Sequence, residues 1–217
     1  MIQEEEEEGI SLGWNCDSAV NGILLGVRKS KSNGYKTCPF DEIGTNYKGL
    51  IDCITDDFKY FCDIKYLELI KIPKESKWCN TNGDGDMIIY NSKYKFIFNH
   101  ESPGHANLFK TQHWEKGINH FIMNDYEEFI NRYKRRIQNM RDLLNSNKKI
   151  TFILTRPNTL EISDISELHK VIENRYPSLH FKFLLLNYDD KYRYYDHLLL
   201  MKIDENDDEI KRLSLNI

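Results

Sequence analysis

The stretch 149-KITFILTR-156 indicates the fold most directly, because it is a run of apolar and β-branched residues bounded by charges. Two similar runs follow it, 180-HFKFLLLN-187 and 197-HLLLMKI-203. Helical spacing of apolar residues is found over about 163–175, after the first run, and over 125–145, before it. Near-continuous apolar strands that alternate with helices are typical of a parallel sheet covered on both faces. The sequence therefore predicts an α/β fold with a mostly parallel sheet flanked by helices.

The remaining sequence favours one domain. Residues 1–9 contain five consecutive glutamates and are expected to form an acidic, disordered tail, since like charges repel one another. Residues 10–217 show no long linker and no internal repeat, and we expect them to form a single α/β domain. Residues 87–98 predict a β-hairpin that turns near Asn91. This hairpin would be an insertion before the loop that carries His100.

Charge and hydropathy argue against several classes of protein. The net charge is −4, with 30 basic and 34 acidic residues, so we predict no nucleic-acid partner. The basic cluster at residues 132–136 is expected on the solvated face of a helix. No apolar run approaches the roughly 20 residues of a membrane span, and the acidic start differs from a secretory signal. We expect a cytoplasmic protein (in the host cytoplasm if the source is viral) with no membrane partner. The oligomeric state is left open.

The five cysteines do not indicate disulfides or a metal site. Their number is odd and there is no secretory context, so structural disulfides are not expected. Their spacings match no common zinc module. The turn-rich segment 79–86 resembles a calcium loop but lacks the glutamate at its twelfth position. Neither a GxGxxG motif nor a P-loop is present. We therefore predict no metal and no cofactor.

Cys16 is the leading candidate for a nucleophile. It follows a short apolar strand that ends in Gly13, and it begins a helix that we expect to run to about Leu25. A helix N-terminus favours the thiolate, which is the reactive form of cysteine. Backbone amides around Cys16, together with the Asn15 side chain, could form an oxyanion hole. A small buried thiol at a helix start is the alternative interpretation.

A cysteine nucleophile needs a partner that moves a proton, and His100 is the first candidate among the seven histidines. It ends an apolar strand, and the carboxylate of Glu101 is adjacent to it. A third group would orient the imidazole, and Asp41 of the phrase 39-PFD-41 is a plausible one. A capping or turn role for Asp41 is an open alternative.

Arg156 closes the predicted strand 149–156. In open α/β sheets, ligands bind outside the carboxyl ends of the strands. Cys16 likewise follows the carboxyl end of a strand. Cys16 and Arg156 would therefore lie at the same edge if both strands belong to one parallel sheet. We therefore predict that Ser11, Asn15, Arg156 and Glu101 contact the substrate.

These residues together resemble a known family. The sequence contains S11-L-G-x-x-C16, then P39-F-D41, then a strand ending in H100-E, then Y133-K-R-R-I137 before a strand ending in arginine. This order is similar to that of papain-like cysteine peptidases described from bacteria and large viruses. The resemblance implies that Cys16 is the nucleophile, that His100 is its partner and that Asp41 is a site residue. This chain has Glu42 where the family usually has tryptophan, and Glu101 where it usually has aspartate.

Two functions of different class follow from these observations. The first is a cysteine-dependent hydrolase, a papain-like peptidase or a related amide hydrolase or acyltransferase, that acts on a peptide or another amide or acyl substrate. The second is an α/β ligand-binding or glycosyltransferase-like domain in which the same residues line the cleft. An inactive member that acts as an interaction module is a third, weaker option.

Overall fold

The computed structural model describes residues 6–76, 86–104, 114–155, 162–186 and 198–201. The chain divides into two compact units. The first consists of Met1–Asp41 and Arg136–Ile217, and the second of Glu42–Arg135. Within the described residues each unit holds one sheet, so the predicted α/β class is confirmed. A single domain over residues 10–217 stays a prediction.

The helices and strands of the described residues follow one another in this order: β1 (Glu7–Ser11), α1 (Asp17–Leu24), α2 (Tyr47–Thr55), β2 (Leu67–Ile72), β3 (Asp86–Asn91), β4 (Phe96–Phe98), α3 (Met123–Leu144), β5 (Lys149–Leu154), α4 (Ile162–Arg175), β6 (Phe181–Leu186) and β7 (Leu198–Met201). Short 3₁₀ turns lie between some of them, and one of these turns, Asn99–Glu101, carries His100.

The first unit is built on a parallel sheet with the strand order β1-β5-β6-β7. Ser11 at the end of β1 lies beside Ile153 near the end of β5, and Leu154 lies beside Leu185 of β6. These strands are near-continuous apolar runs because both faces of the sheet are covered. The parallel sheet predicted from the three apolar runs is confirmed, and the carboxyl ends of β1 and β5 lie at the same edge.

The N-terminal boundary differs from the sequence prediction. The acidic tail was expected over residues 1–9, whereas β1 begins at Glu7 and pairs with β5. The Glu7 carboxylate accepts a hydrogen bond from Thr151 and lies 2.7 Å from Lys182 Nζ. Glu8 is only 4% exposed and accepts a hydrogen bond from the backbone amide of Lys29 at 3.2 Å. Cations and donors distant in sequence compensate the charge of these two glutamates, so Glu7 and Glu8 form part of β1.

The core of the first unit lies where α1 and the turn after it cover the sheet. Ile153, Leu184 and Leu186 are buried, and Leu25 and Val27 pack on them. Helix α1 approaches the sheet closely at Gly22. A Cβ added there would lie 2.4 Å from Cδ1 of Ile153, so a larger residue would not fit without movement.

The second unit is built on an antiparallel sheet with the strand order β2-β3-β4. Strands β3 and β4 form the predicted hairpin, which leads directly into the 3₁₀ turn of His100. The core beside the hairpin is a cluster of aromatic rings with neighbouring centroids 4.6–5.9 Å apart. Its members are Phe61, Phe96, Phe98, Phe129 and Tyr133. This aromatic packing fixes the base from which the His100 turn projects.

Helix α3 is the long helix that the sequence predicts over residues 125–145. Asn124, Asp125 and Tyr126 have left-handed backbone angles, so the regular helix starts only after them. None of the helices in the described ranges is both long and apolar enough to cross a bilayer.

Candidate active site

Cys16 lies at the junction between β1 and α1. It is the N-cap residue of α1, directly before Asp17, and its side chain is half-buried. The two preceding turn residues, Gly13 and Trp14, have φ angles of 88° and 81°. Glycine adopts such angles freely, but tryptophan does so only at an energetic cost. Strained backbone of this kind is found at functional sites, where the surrounding structure has to maintain it.

A network of serine hydroxyls maintains the turn before Cys16. The Ser11 and Ser18 hydroxyls are hydrogen-bonded to each other. Ser18 also donates to the Gly13 carbonyl at 3.0 Å, and the Gly13 amide donates to Ser11 Oγ at 3.1 Å. Both serines are fully buried. The predicted substrate contact by Ser11 stays a prediction, and these bonds are those of a residue that holds the turn in place.

Asn15 stabilises the first turn of α1. Its Oδ1 accepts a hydrogen bond from the Asp17 amide at 2.9 Å, and its Nδ2 donates to the Asp17 carboxylate at 2.7 Å. Asn15 thus satisfies the backbone amide of Asp17, the first residue of α1. Cys16 therefore follows a turn that the buried serines hold, and the residues on either side of it, Asn15 and Asp17, are hydrogen-bonded to each other.

The other described cysteines lie in environments that favour the neutral thiol. Burial raises the pKa of Cys62 to about 12, although the nearby Lys134 lowers it. Burial, and after it the charge of Asp41, raises the pKa of Cys38 further. Burial also raises the pKa of Cys53 well above its ordinary value. These three thiols are poor nucleophiles at neutral pH. Cys79 lies outside the described residues.

Asp41 is held in the first unit by a buried arginine. Its Oδ2 lies 2.8 Å from Arg28 Nη2 and accepts a hydrogen bond from the Cys38 amide at 2.7 Å. The Tyr35 hydroxyl donates to Asp41 Oδ1 at 3.5 Å. The Asp41 side chain is 1% exposed. Burial lowers the pKa of Arg28, but the stronger combined influence of Asp41 and Tyr35 raises it, so the guanidinium is charged at every physiological pH.

His100 lies in the second unit, in the 3₁₀ turn that follows β4, and its side chain is half-buried. The two following residues anchor this turn. Glu101 is fully buried, and buried Ser102 donates to the Phe98 carbonyl and accepts from the Ile89 amide at 2.8 Å. The backbone around His100 is therefore fixed on the hairpin.

Glu101 is bound by two residues of α3. Tyr133 donates to its Oε2 at 2.9 Å, and Arg132 Nε lies 3.1 Å from its Oε1. Arg132 also lies 3.4 Å from the carboxylate of Glu42, which is 5% exposed. Glu42 and Glu101 are thus buried carboxylates that share one arginine. A substrate contact by Glu101 stays a prediction.

The predicted site residues divide between the units. Ser11, Asn15, Cys16 and Asp41 belong to the first unit, whereas His100 and Glu101 belong to the second. Arg156 lies outside the described residues, but the shared edge of β1 and β5 that motivated it is present. Among the residues that the structure describes, no group of three or more metal-binding side chains could hold a metal ion.

Sequence reasoning missed three residues that organise the site. They are Arg28 beside Asp41, Ser18 beside Ser11, and Arg132 beside Glu101. Arg28 precedes a polar loop and Arg132 belongs to a basic cluster, so both had the pattern of solvated surface charge. A signal existed for Ser18 alone, since a serine in the first turn of a helix commonly bonds to nearby backbone.

Comparison with known proteins identifies the family of the chain. A family model described as "Putative papain-like cysteine peptidase (DUF1796)" matches residues 7–191. The chain therefore belongs to that family, as its motifs suggest. No curated protein and no solved structure matches the chain.

Proposed function

We propose that the protein is a cysteine peptidase or related amide hydrolase whose nucleophile is Cys16 and whose proton-transfer partner is His100. The observation that carries the proposal is the place of Cys16 at a strained strand-to-helix turn, half-buried and at the start of α1. The helix N-terminus favours the thiolate there. Membership of the family implies a peptide substrate.

The reaction begins when the Cys16 thiolate attacks the carbonyl carbon of the substrate amide. A carbon–sulfur bond forms, and the negative charge moves to the carbonyl oxygen, where amides near Cys16 and the Asn15 side chain stabilise it. The carbon–nitrogen bond then breaks, and His100 gives its proton to the departing amine. Water, deprotonated by His100, attacks the thioester and releases the acid, which restores the thiolate.

The other predicted residues have supporting roles in this proposal. Arg156 binds a carboxylate or another anion on the substrate. Glu101 fixes the His100 turn through its ion pair with Arg132 and its hydrogen bond from Tyr133. The described contacts of Asp41 lie within the first unit, which favours a role toward Cys16 of the same unit. A reducing, cytoplasmic location belongs to the same proposal, because the four described cysteines are all free thiols.

The experiment is to measure the rate of alkylation by iodoacetamide between pH 5 and 9, with the modified residue mapped by mass spectrometry. An activated Cys16 reacts near pH 6, where an ordinary thiol of pKa about 8.5 is almost entirely protonated. Cys16→Ser removes the reaction, and His100→Ala slows it and moves the profile toward that of an ordinary thiol. Matched controls are Cys62→Ser, at a half-buried thiol, and His180→Ala, at an exposed histidine; both leave the profile unchanged.

A second arm tests the bond that is cleaved. A library of fluorogenic peptides is expected to reveal turnover that Cys16→Ser abolishes. Labelling of Cys16 like that of an ordinary thiol, together with no turnover, would instead favour the ligand-binding or glycosyltransferase-like domain. Activated labelling without peptide turnover keeps the thiol mechanism and moves the substrate to another amide or acyl compound.

A further inference from the structure

Arg28 is a buried cation in contact with three parts of the first unit. Its Nη1 donates to the carbonyl of Ala19 in α1 at 3.1 Å. Its Nη2 donates to Asp41 at 2.8 Å, and its guanidinium carbon lies 3.8 Å from the centre of the Tyr35 ring. The side chain is 3% exposed. A planar guanidinium can make these bonds together with the ring contact, whereas a lysine ammonium lacks that geometry.

The backbone beside Arg28 also holds α1. The amides of Val27 and Arg28 both donate to the Gly22 carbonyl, at 3.0 Å and 2.9 Å. Added Cβ atoms at Gly9 and Gly22 would lie 3.1 Å and 3.3 Å from the Cβ of Arg28. Arg28 is therefore packed between β1 and α1, and its side chain has little room to move.

The partner of Arg28 is equally fixed. Asp41 ends the phrase 39-PFD-41, and its Oδ2 binds both the arginine and the Cys38 amide. Burying either charge alone is costly, because the remaining charge would lose its compensation. The Asp41–Arg28 pair thus couples the Pro-Phe-Asp turn to α1. Ala19, where the pair reaches α1, lies within one helical turn of Cys16.

We propose that Arg28 is a positioning residue, which holds the start of α1, and hence Cys16, in place by joining Asp41 to the Ala19 carbonyl. The inference rests on the proposed role of Cys16 as nucleophile. It also gives Asp41 its function: the aspartate acts on Cys16 through Arg28. A displacement of a nucleophile by about 1 Å can cost on the order of 100-fold in rate, so a residue without substrate contact can control reactivity.

The test uses Arg28→Lys, Asp41→Asn and the double variant, each in the full chain. Arg28→Lys keeps the charge but loses the paired donors, and Asp41→Asn keeps the shape but loses the charge. The matched control is Lys29→Gln, which removes the next cation in sequence, one that is 45% exposed and pairs with Glu6. The readouts are the pH profile of Cys16 alkylation by iodoacetamide and the melting temperature, which identifies the temperature range in which each variant is folded.

Each single variant is expected to lower the Cys16 alkylation rate at pH 6 by at least about 10-fold while folded, and to move the profile to higher pH. The double variant should lose no more than the worse single variant, because the two residues act as one unit. Lys29→Gln should match the wild-type protein. If Arg28→Lys is unfolded at every usable temperature, the pH profile of Cys16 alkylation in Asp41→Asn decides whether the inference holds.

Two results would overturn the inference. One is a folded Arg28→Lys or Asp41→Asn protein with an unchanged pH profile. The other is a double variant whose loss equals the product of the single losses, since independent residues behave in that way. Failure of the proposed function is distinguishable, because it would be seen in the wild-type protein as a Cys16 that reacts like an ordinary thiol.

Discussion

Tyr133 donates a hydrogen bond of 2.9 Å from its phenol to the fully buried carboxylate of Glu101, the residue that follows His100. A residue in the middle of α3 thus holds the turn that carries the proposed proton-transfer group. The acceptor is a buried carboxylate, and hydrogen bonds to charged groups are stronger than those between neutral groups.

We expect Tyr133→Phe to lower the free energy of unfolding by about 1.5–3 kcal/mol, the range for a hydrogen bond to a charged group. Urea unfolding at pH 7 measures this difference. Tyr126→Phe is the control, since Tyr126 is a half-buried tyrosine directly before the regular part of the same helix. Equal effects of the two substitutions would contradict the role assigned to the Tyr133 phenol.

A steric prediction concerns the contact of α1 with β5. A Cβ at residue 22 would lie 2.4 Å from Ile153 Cδ1, so Gly22→Ala overpacks this contact and should destabilise the protein by about 1–3 kcal/mol. Ile153→Val removes that methyl group and should cost about 0.5–1.5 kcal/mol alone.

The double variant, Gly22→Ala with Ile153→Val, should then be more stable than the sum of the single effects predicts, because the second change removes the clash made by the first. Thermal and urea unfolding of the four proteins give the coupling energy. Additive effects would show that the clash is relieved elsewhere, for example by movement of Arg28.

At alkaline pH, ionisation of the half-buried Cys62 thiol should weaken the fold. Burial raises its pKa from an ordinary value of 9.0 to about 12, so the unfolded state loses this proton first. The contribution of Cys62 is fully present below pH 9 and is lost as pH rises toward 12. Between pH 9 and 10.5 we expect Cys62→Ala to reduce the pH dependence of the free energy of unfolding by about 1 kcal/mol per pH unit. Cys62→Ser should give the same slope, because neither replacement titrates; a slope equal to that of the wild-type protein would refute the assignment.

At acid pH the ion pair of β1 should have a small effect of the opposite sign. The hydrogen bond from Lys182, and after it that from Thr151, lowers the pKa of Glu7. Its stabilising contribution is therefore present above the ordinary value of 4.5 and is lost as pH falls through the lowered value. Because Glu7 is 41% exposed, Glu7→Gln should cost less than about 1 kcal/mol at pH 7 and nothing at pH 2. Urea unfolding of the wild-type protein and of Glu7→Gln at both pH values measures the difference in the free energy of unfolding. A difference that persists at pH 2 would argue against the ion pair.

The parallel sheet could be predicted because its strands are buried on both faces, which leaves a continuous apolar run at 149–154 and 181–186. The hairpin before His100 could be predicted for a similar local reason, a turn between two apolar segments. The Cys16 turn was predictable in outline, since a glycine and an asparagine precede the helix.

Buried charges could not be predicted in the same way. Arg28 precedes a polar loop, and its burial depends on Asp41 and on a close approach to two glycines. Arg136 belongs to a basic cluster that is expected on a solvated face, yet it is 3% exposed. Local composition does not reveal which charge meets a distant partner, and the same limit explains the early start of β1 and the division of the chain into two compact units.

The pairing of β1 with β5 also has a consequence for the order of events during synthesis. The strand that precedes Cys16 forms its described ladder with residues 149–153, which are made late. Pairing between segments so far apart has to wait until both exist, and it closes a long loop. A nascent chain that has emerged only as far as the hairpin lacks the partner that fixes the Cys16 turn. The turn that carries the proposed nucleophile therefore reaches its final support only after residues 149–153 have been made and have joined the sheet.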